Sequence, residues 1–275
     1  MQEPSRSSTA ALVLVSLLIS MLAWVSAVAF WADRSVGGET AFRAHAHEVV
    51  LMETSQEALS TRLMDEAIEA LPLLALVRGA GERAIVVLIG SGAFDPALDR
   101  LIAEGHRHML SGSDEPFVAD LTDVRAVIVA PIAEIAPEFA DEIPVDIFEA
   151  VVILDSDALP LVGRAAGWLP VVTVLAAAVA VFLAVATVML SRRRPVALLA
   201  VGLGVLFAGA GVAAWSMFGG SIASWRIEDD LTRVLVANGY VVISPALKAE
   251  GIGLMTAGAV VALAGLIGTL ATRRK

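Results

Sequence analysis

Along the 275 residues, long uninterrupted apolar runs alternate with stretches in which charge recurs every few positions. Four of the runs reach the roughly 20 residues that carry an α-helix across a bilayer core: 10–31, 169–190, 196–216 and 252–271. The segments between and around them are 1–9, 32–168, 191–195, 217–251 and 272–275. In the long polar stretch the pattern becomes that of amphipathic helices. Thr54-Ser-Gln-Glu57 reads as a capping box. Leu59, Leu63, Ala67 and Leu71 then recur on one helical face, with Asp65, Glu66 and Glu69 on the other, until Pro72 ends the pattern. A second helix is expected over 73–89, broken by Gly90-Ser91-Gly92. A third takes Asp95 as its N-cap and Pro96 as its first helical position, runs through Leu98, Leu101 and Ile102, and stops between His108 and Gly112.

Past Pro116 the texture changes. Residues 117–121 alternate as a short strand, Thr122 or Asp123 caps a helix shortened at Pro131, and the Val- and Ile-rich stretch 148–154 is a second strand candidate. In 217–251, residues 227–237 put Leu231, Val234 and Leu235 on one face and Glu228, Asp229 and Arg233 on the other. So short a helix needs support, from the larger polar domain or from the membrane surface. The fold class that emerges is a mainly α membrane protein. It has four transmembrane helices and a mostly helical polar domain in which two strands are able to pair.

Charge orients these elements. Residues 191–195 read Ser-Arg-Arg-Arg-Pro, and cytoplasmic loops are the ones enriched in Lys and Arg. Arg192, Arg193 and Arg194 therefore assign this connection to the cytoplasm, and both chain ends with it. Arg6, Arg273, Arg274 and Lys275 agree. The segments assigned to the cytoplasm hold seven basic residues and one acid, whereas 33–168 holds 24 acids and nine arginines. Trp31, Trp168 and Trp215 fall at the outer ends of spans, where aromatic belts sit. The first apolar run, at about 22 residues, exceeds the 7–15 of a cleaved signal peptide, so it is expected to stay as an anchor. A mean hydropathy of +0.79 fits a chain that is about one third membrane span.

The chemistry available is narrow. With no cysteine, the chain has no disulfide, thiolate metal site or cysteine nucleophile. The four histidines form two His-x-His pairs, His45 with His47 and His106 with His108, near Glu48 and Glu104, which are the ligand types of a zinc or similar divalent site. On a helix, however, residues two apart point about 200° from each other. The spacing of Phe42, His45, Val49 and Met52 puts His45 inward and His47 in water. Ordinary histidines are the favoured reading and a metal site the alternative.

Gly90-Ser91-Gly92 lacks the rest of any nucleotide fingerprint, and Ile89 stands where a nucleophile elbow needs glycine. The acid pairs Asp114–Glu115, Asp141–Glu142 and Asp155–Asp157 lack calcium-loop spacing and read as solvated faces. So acidic a surface repels nucleic acid and favours cationic partners. No span carries an interior charge, which disfavours a self-contained transport path. Gly202, Gly204, Gly209 and Gly211 in the third span, and Gly253, Ala257, Gly258, Ala264, Gly265 and Gly268 in the fourth, allow close helix contact and are expected to pack the spans on one another.

Glu57-Ala-Leu-Ser-Thr-Arg-Leu-Met-Asp65, Phe94-Asp-Pro-Ala-Leu-Asp-Arg-Leu-Ile102 with His106 beyond, Val118-Ala-Asp-Leu-Thr122 and Asp155-Ser-Asp-Ala-Leu-Pro160 give most of the chain a further reading. It resembles a group of poorly characterised actinobacterial four-span envelope proteins with a helical extracytoplasmic domain. The resemblance implies a plasma-membrane location and supplies no activity or catalytic residue. The Val-rich stretches 85–89 and 148–154 are less plainly helical than the group pattern, which leaves the strand content open.

The function expected is that of a non-enzymatic plasma-membrane accessory or scaffold, without cofactor, in contact with the lipid bilayer and with a membrane or envelope protein partner; a homo-oligomer is left open. The alternative is an extracytoplasmic ligand or divalent-metal sensor, or a metal-dependent enzyme, built on the histidine pairs.

Overall fold

The computed structural model of the chain describes residues 6–70, 72–92, 95–113, 115, 117–119, 133, 151–154, 159–225 and 227–273. Among the described residues eight α-helices follow in order: α1 Arg6–Ala32, α2 Glu39–Val50, α3 Glu53–Ala70, α4 Arg78–Gly90, α5 Asp95–Ser111, α6 Leu159–Leu190, α7 Arg194–Ser224 and α8 Asp230–Arg273. A π-helical turn, Asp33–Gly37, separates α1 from α2, and a 3-10 turn, Pro72–Val77, leads into α4. Strands β1 (Phe117–Ala119) and β2 (Val151–Leu154) pair antiparallel, with a bulge between Phe117 and Val118. The protein is a mainly α, multi-pass membrane protein. Helices α1, α6, α7 and α8 each hold an apolar window long enough to cross a bilayer, whose lipid is therefore this chain's surroundings.

The chain divides into two compact units. A membrane unit comprises Met1–Arg34, Trp168–Gly219 and Ile243–Lys275; a polar unit comprises Ser35–Gly167 and Gly220–Val242.

In the membrane unit α7 is the central helix, with 39% of its apolar window buried against 6% for α1. The glycines explain how. Gly202 and Gly209 face α8, where they meet Gly258, Ala262, Gly251 and Met255 at backbone distance; a Cβ on Gly209 would lie 2.5 Å from the Met255 nitrogen. Gly265 backs onto Pro195 and Leu199 in the same way, and Gly268 onto the Pro195 ring. Pro195, Gly202 and Gly209 thus pair with Gly265, Gly258 and Gly251 in seven-residue steps along two antiparallel helices. A seven-residue repeat underwinds the seam to 3.5 residues per turn and implies a left-handed crossing. Gly204 and Gly211, two residues further round, face the other way: Gly204 backs onto the Ser16 carbonyl of α1, and Gly211 onto Trp24. Trp24 stacks edge-on against Trp215, with ring centroids 6.0 Å apart.

Trp31 is not a lipid-facing belt residue, and Trp215 is half-buried against Trp24. Trp31 is only 8% exposed, and its indole N–H donates to the Ile243 carbonyl at 3.0 Å. That acceptor lies two residues before Pro245, inside α8. Trp168 alone of the three is strongly exposed. Helix α6 is held by its small residues Ala176 and Ala180, both buried, and by the Ser26 hydroxyl donating to the Thr173 carbonyl.

The polar unit is built from two separated stretches. The amphipathic segment expected over 227–237 is no isolated helix: it opens α8, which continues unbroken through Gly239 and Pro245. Asp229 caps α8, its carboxylate accepting from the Thr232 N–H at 2.7 Å. Leu231 and Thr232 are buried, and about two turns on Asn238 donates through its amide nitrogen to both the Thr54 and Ser55 hydroxyls at 2.8 Å. This corrects the capping box. Helix α3 starts one residue before Thr54, and the Thr54 hydroxyl serves Asn238.

The buried stripe of α3 is Ser60, Met64 and Ala67, rotated by about one residue from the Leu59 and Leu63 stripe. Met64 fills the space above Gly81 of α4, whose Cβ would lie 2.7 Å from the Met64 sulfur. Helix α4 ends at Gly90, and Gly92 with φ +74° makes the left-handed stop that glycine tolerates. The expected helix near 122–131, the acid pairs at 141–142 and 155–157, and Arg274 lie outside the described residues.

Candidate functional site

Helices α2 and α5 pack antiparallel and carry all four histidines. His47 lies at the start of α5, its Nε2 3.7 Å from the Asp95 carboxylate. His106, eleven residues further along α5, stands near the opposite end of α2, where its ring lies 4.6 Å from that of Phe42. At 1.5 Å per residue, the positions of Asp95 and His106 are roughly 16 Å apart along the helix. The two His-x-His pairs therefore do not gather, and among the described residues no three His, Asp or Glu side chains come together as a metal cage.

Each pair is also split internally, as helical geometry requires. His106 is 3% exposed, and its Nε2 lies 2.8 Å from the Val36 carbonyl. A carbonyl only accepts, so Nε2 carries the hydrogen and donates. His108 points elsewhere and donates from Nε2 to the Glu115 carbonyl at 2.8 Å, with its ring 5.6 Å from Phe117. His45 is half-buried on α2.

Beside His108 an open hollow of about 520 Å³ is lined by Glu104, Arg107, His108, Glu115, Phe117 and Val118. Phe117 forms its floor: it is buried, and its ring lies against Gly105, where a Cβ would approach to 3.3 Å. The walls mix both signs of charge, and the His108 nitrogen nearest Glu115 is already committed. Such a hollow suits a polar chain segment better than acid–base chemistry, which needs a free base within reach of a reacting proton.

The other notable surface is on the 3-10 turn and α4. Leu73 and Leu76, three residues apart and therefore on one edge of a 3-10 turn, are both exposed, Leu76 to 81%; Val87 on α4 is exposed to 72%. Nearby, Arg78 bridges α3 and α4, 2.7 Å from Asp65 and 2.9 Å from Glu82. The Glu82 hydrogen bond and then the Asp65 charge hold the Arg78 guanidinium above its ordinary pKa.

Several residues that organise this unit, Asn238, Asp229, Met64 and Tyr240, carried no motif. Asn238 followed by Gly239 has the composition of a turn, and only the fold turns it into a clasp. No protein-family model matches the chain, and no curated protein or solved structure shows significant similarity to it.

Proposed function

We propose that this is a plasma-membrane protein with both chain ends in the cytoplasm, and that its polar unit, on the extracytoplasmic side, binds a membrane or envelope protein as an accessory or scaffold without catalysing a reaction. The observation that carries the binding is the pair Leu73 and Leu76, exposed on a strongly acidic domain. Adjacent exposed apolar side chains on a charged surface mark an interaction site.

The orientation is supported by the seam geometry: Pro195 against Gly265 and Gly268 brings the start of α7 and the end of α8 to one end of the membrane unit. The exposed Arg192, Arg193 and Arg194 and the position of Arg273 then share that end, as the positive-inside rule asks. The resemblance to four-span envelope proteins agrees with this location.

The test is cross-linking and co-purification from native membranes. The wild-type chain is expected to bring down a distinct membrane or envelope protein, and Leu73→Asp with Leu76→Asp to lose it while the chain stays folded. Recovery of the chain alone, or capture unchanged by the double substitution, overturns the reading. Labelling of Arg83→Cys, but not Ser191→Cys, by a membrane-impermeant maleimide in intact cells checks the orientation; the opposite pattern reverses it.

A further inference from the structure

The chain passes between its two compact units four times, after Arg34, Gly167, Gly219 and Val242. Each passage coincides with a feature that weakens a helix. The first lies within the π-helical turn Asp33–Gly37. The second is followed within three residues by Pro170, an interior proline of α6. The third splits Gly219-Gly220, the one adjacent glycine pair of α7, with Ser221 next. The fourth is followed within three residues by Pro245, inside α8. Proline, glycine–serine pairs and π-turns are the recognised causes of helix kinks, and here they sit at the passages. Within the four spans 10–31, 169–190, 196–216 and 252–271, Pro170 at the very start of the second is the single proline.

A hinge also needs firm bodies on either side, and anchors within each unit flank these points. Trp31, fixed to the Ile243 carbonyl, holds the membrane side of the first and fourth passages. On the polar side of the first, Val36 is held by His106. At the second, Thr173 is held by Ser26, and Gly163 is pressed against Met109 and Gly112. Tyr240 packs on Gly220 beyond the third, and Asn238 clasps Thr54 and Ser55 before the fourth.

We infer that the four passages act together as a hinge about which the polar unit reorients as a body relative to the spans. Hinges are formed by a few residues at element ends or breaks that absorb the change in backbone angles. A partner that prefers one orientation shifts the population of orientations, so binding to the polar unit reaches the spans. The inference does not depend on the proposed partner, because its test contains none.

Lacking cysteine, the full-length chain takes spin labels without background. Val87→Cys in the polar unit and Leu190→Cys in the membrane unit are both well exposed, and Leu190→Cys with Leu263→Cys is a control pair inside one unit. Pulsed dipolar measurement in lipid nanodiscs should give a distance distribution roughly twofold broader for the cross-unit pair than for the control. Combining Pro170→Ala with Pro245→Ala should narrow it towards the control width while leaving the control distance unchanged, and Gly219→Ala alone should narrow it less. A cross-unit distribution as narrow as the control, or a broad one that neither variant narrows, overturns the hinge.

Discussion

The two units of this chain hold together by opposite means. In the membrane unit, cohesion is backbone against backbone: Gly202, Gly209, Gly258 and Gly265 let α7 and α8 approach until no Cβ fits between them. In the polar unit, apart from Gly163 against the Met109 and Gly112 backbone, it is side chain against side chain: Met64 over Gly81, His106 on Phe42, Arg78 across to Asp65, and Asn238 between two hydroxyls. The solvent explains the contrast. Lipid tails are as apolar as leucine, so helices gain little by hiding large apolar side chains from them and rely on close packing. In water, burying a methionine and completing polar contacts are both rewarded.

Substitutions break this comparison in order of expected effect. Gly258→Leu forces a side chain into the Leu206 and Gly202 backbone and should cost about 3 kcal/mol or more. Gly253→Leu, on the same helix with nothing within 4 Å, should be nearly silent. Thermal melting of detergent-solubilised protein, followed through tryptophan fluorescence, separates the two; equal effects would remove the seam as the source of cohesion.

In the polar unit, Met64→Ala empties a site that is 1% exposed and should cost about 2 to 3 kcal/mol. If its cost matched that of a surface methionine, the α3–α4 core would have been misread. Asn238→Ala leaves the fully buried Ser55 hydroxyl without its donor and should cost about 1 to 2 kcal/mol. Hydrogen exchange should rise locally over 230–242 and the start of α3; uniform exchange would deny the clasp.

The smallest effect belongs to Arg78→Ala, an ion pair in solvent that salt screens. Because the Arg78 pKa is raised, its contribution is full below the ordinary arginine value and is lost only as pH climbs through the still higher folded value. Between pH 6 and 9, far below where any arginine deprotonates, the difference from wild type should stay flat with pH while shrinking with salt. A pH-dependent difference in that window would point to another group.

How much of this the residues disclosed follows the same divide. All four spans were readable because about 20 apolar residues in a row have few other uses. The two strands were readable from alternation and Val and Ile content, and the helix stop at Gly92 and the reach of α5 from local turn and cap chemistry; that the strands pair with each other was left open. The packing glycines were visible as a set. Their division, Gly202 and Gly209 to α8 but Gly204 and Gly211 to α1, was not, since it depends on which neighbour each face meets.

Tertiary partners also decided the misreadings. Trp31 has the position of a belt residue until the Ile243 carbonyl claims its indole. Thr54 has the spacing of a cap until Asn238, 184 residues away, takes its hydroxyl. Gly239 and Pro245 look like breakers, yet α8 runs on through both. The candidate site was the least legible part: His-x-His spacing names ligand types, and the helices that carry the pairs decide that they do not meet.

The split make-up of the polar unit also sets a timetable for its birth. Residues 35–167 leave the ribosome with the site for Asn238 already made, but Asn238 itself follows about 70 residues later, after α7 has been synthesised. At about 5 to 20 residues per second, that is a wait of roughly 4 to 15 s. During that interval the Ser55 hydroxyl and the surface that Leu231 will cover have no native cover from α8. Completion of the polar fold is thus coupled to insertion of the third span, and a chain truncated after α6 would present quality-control proteases with an unfinished domain.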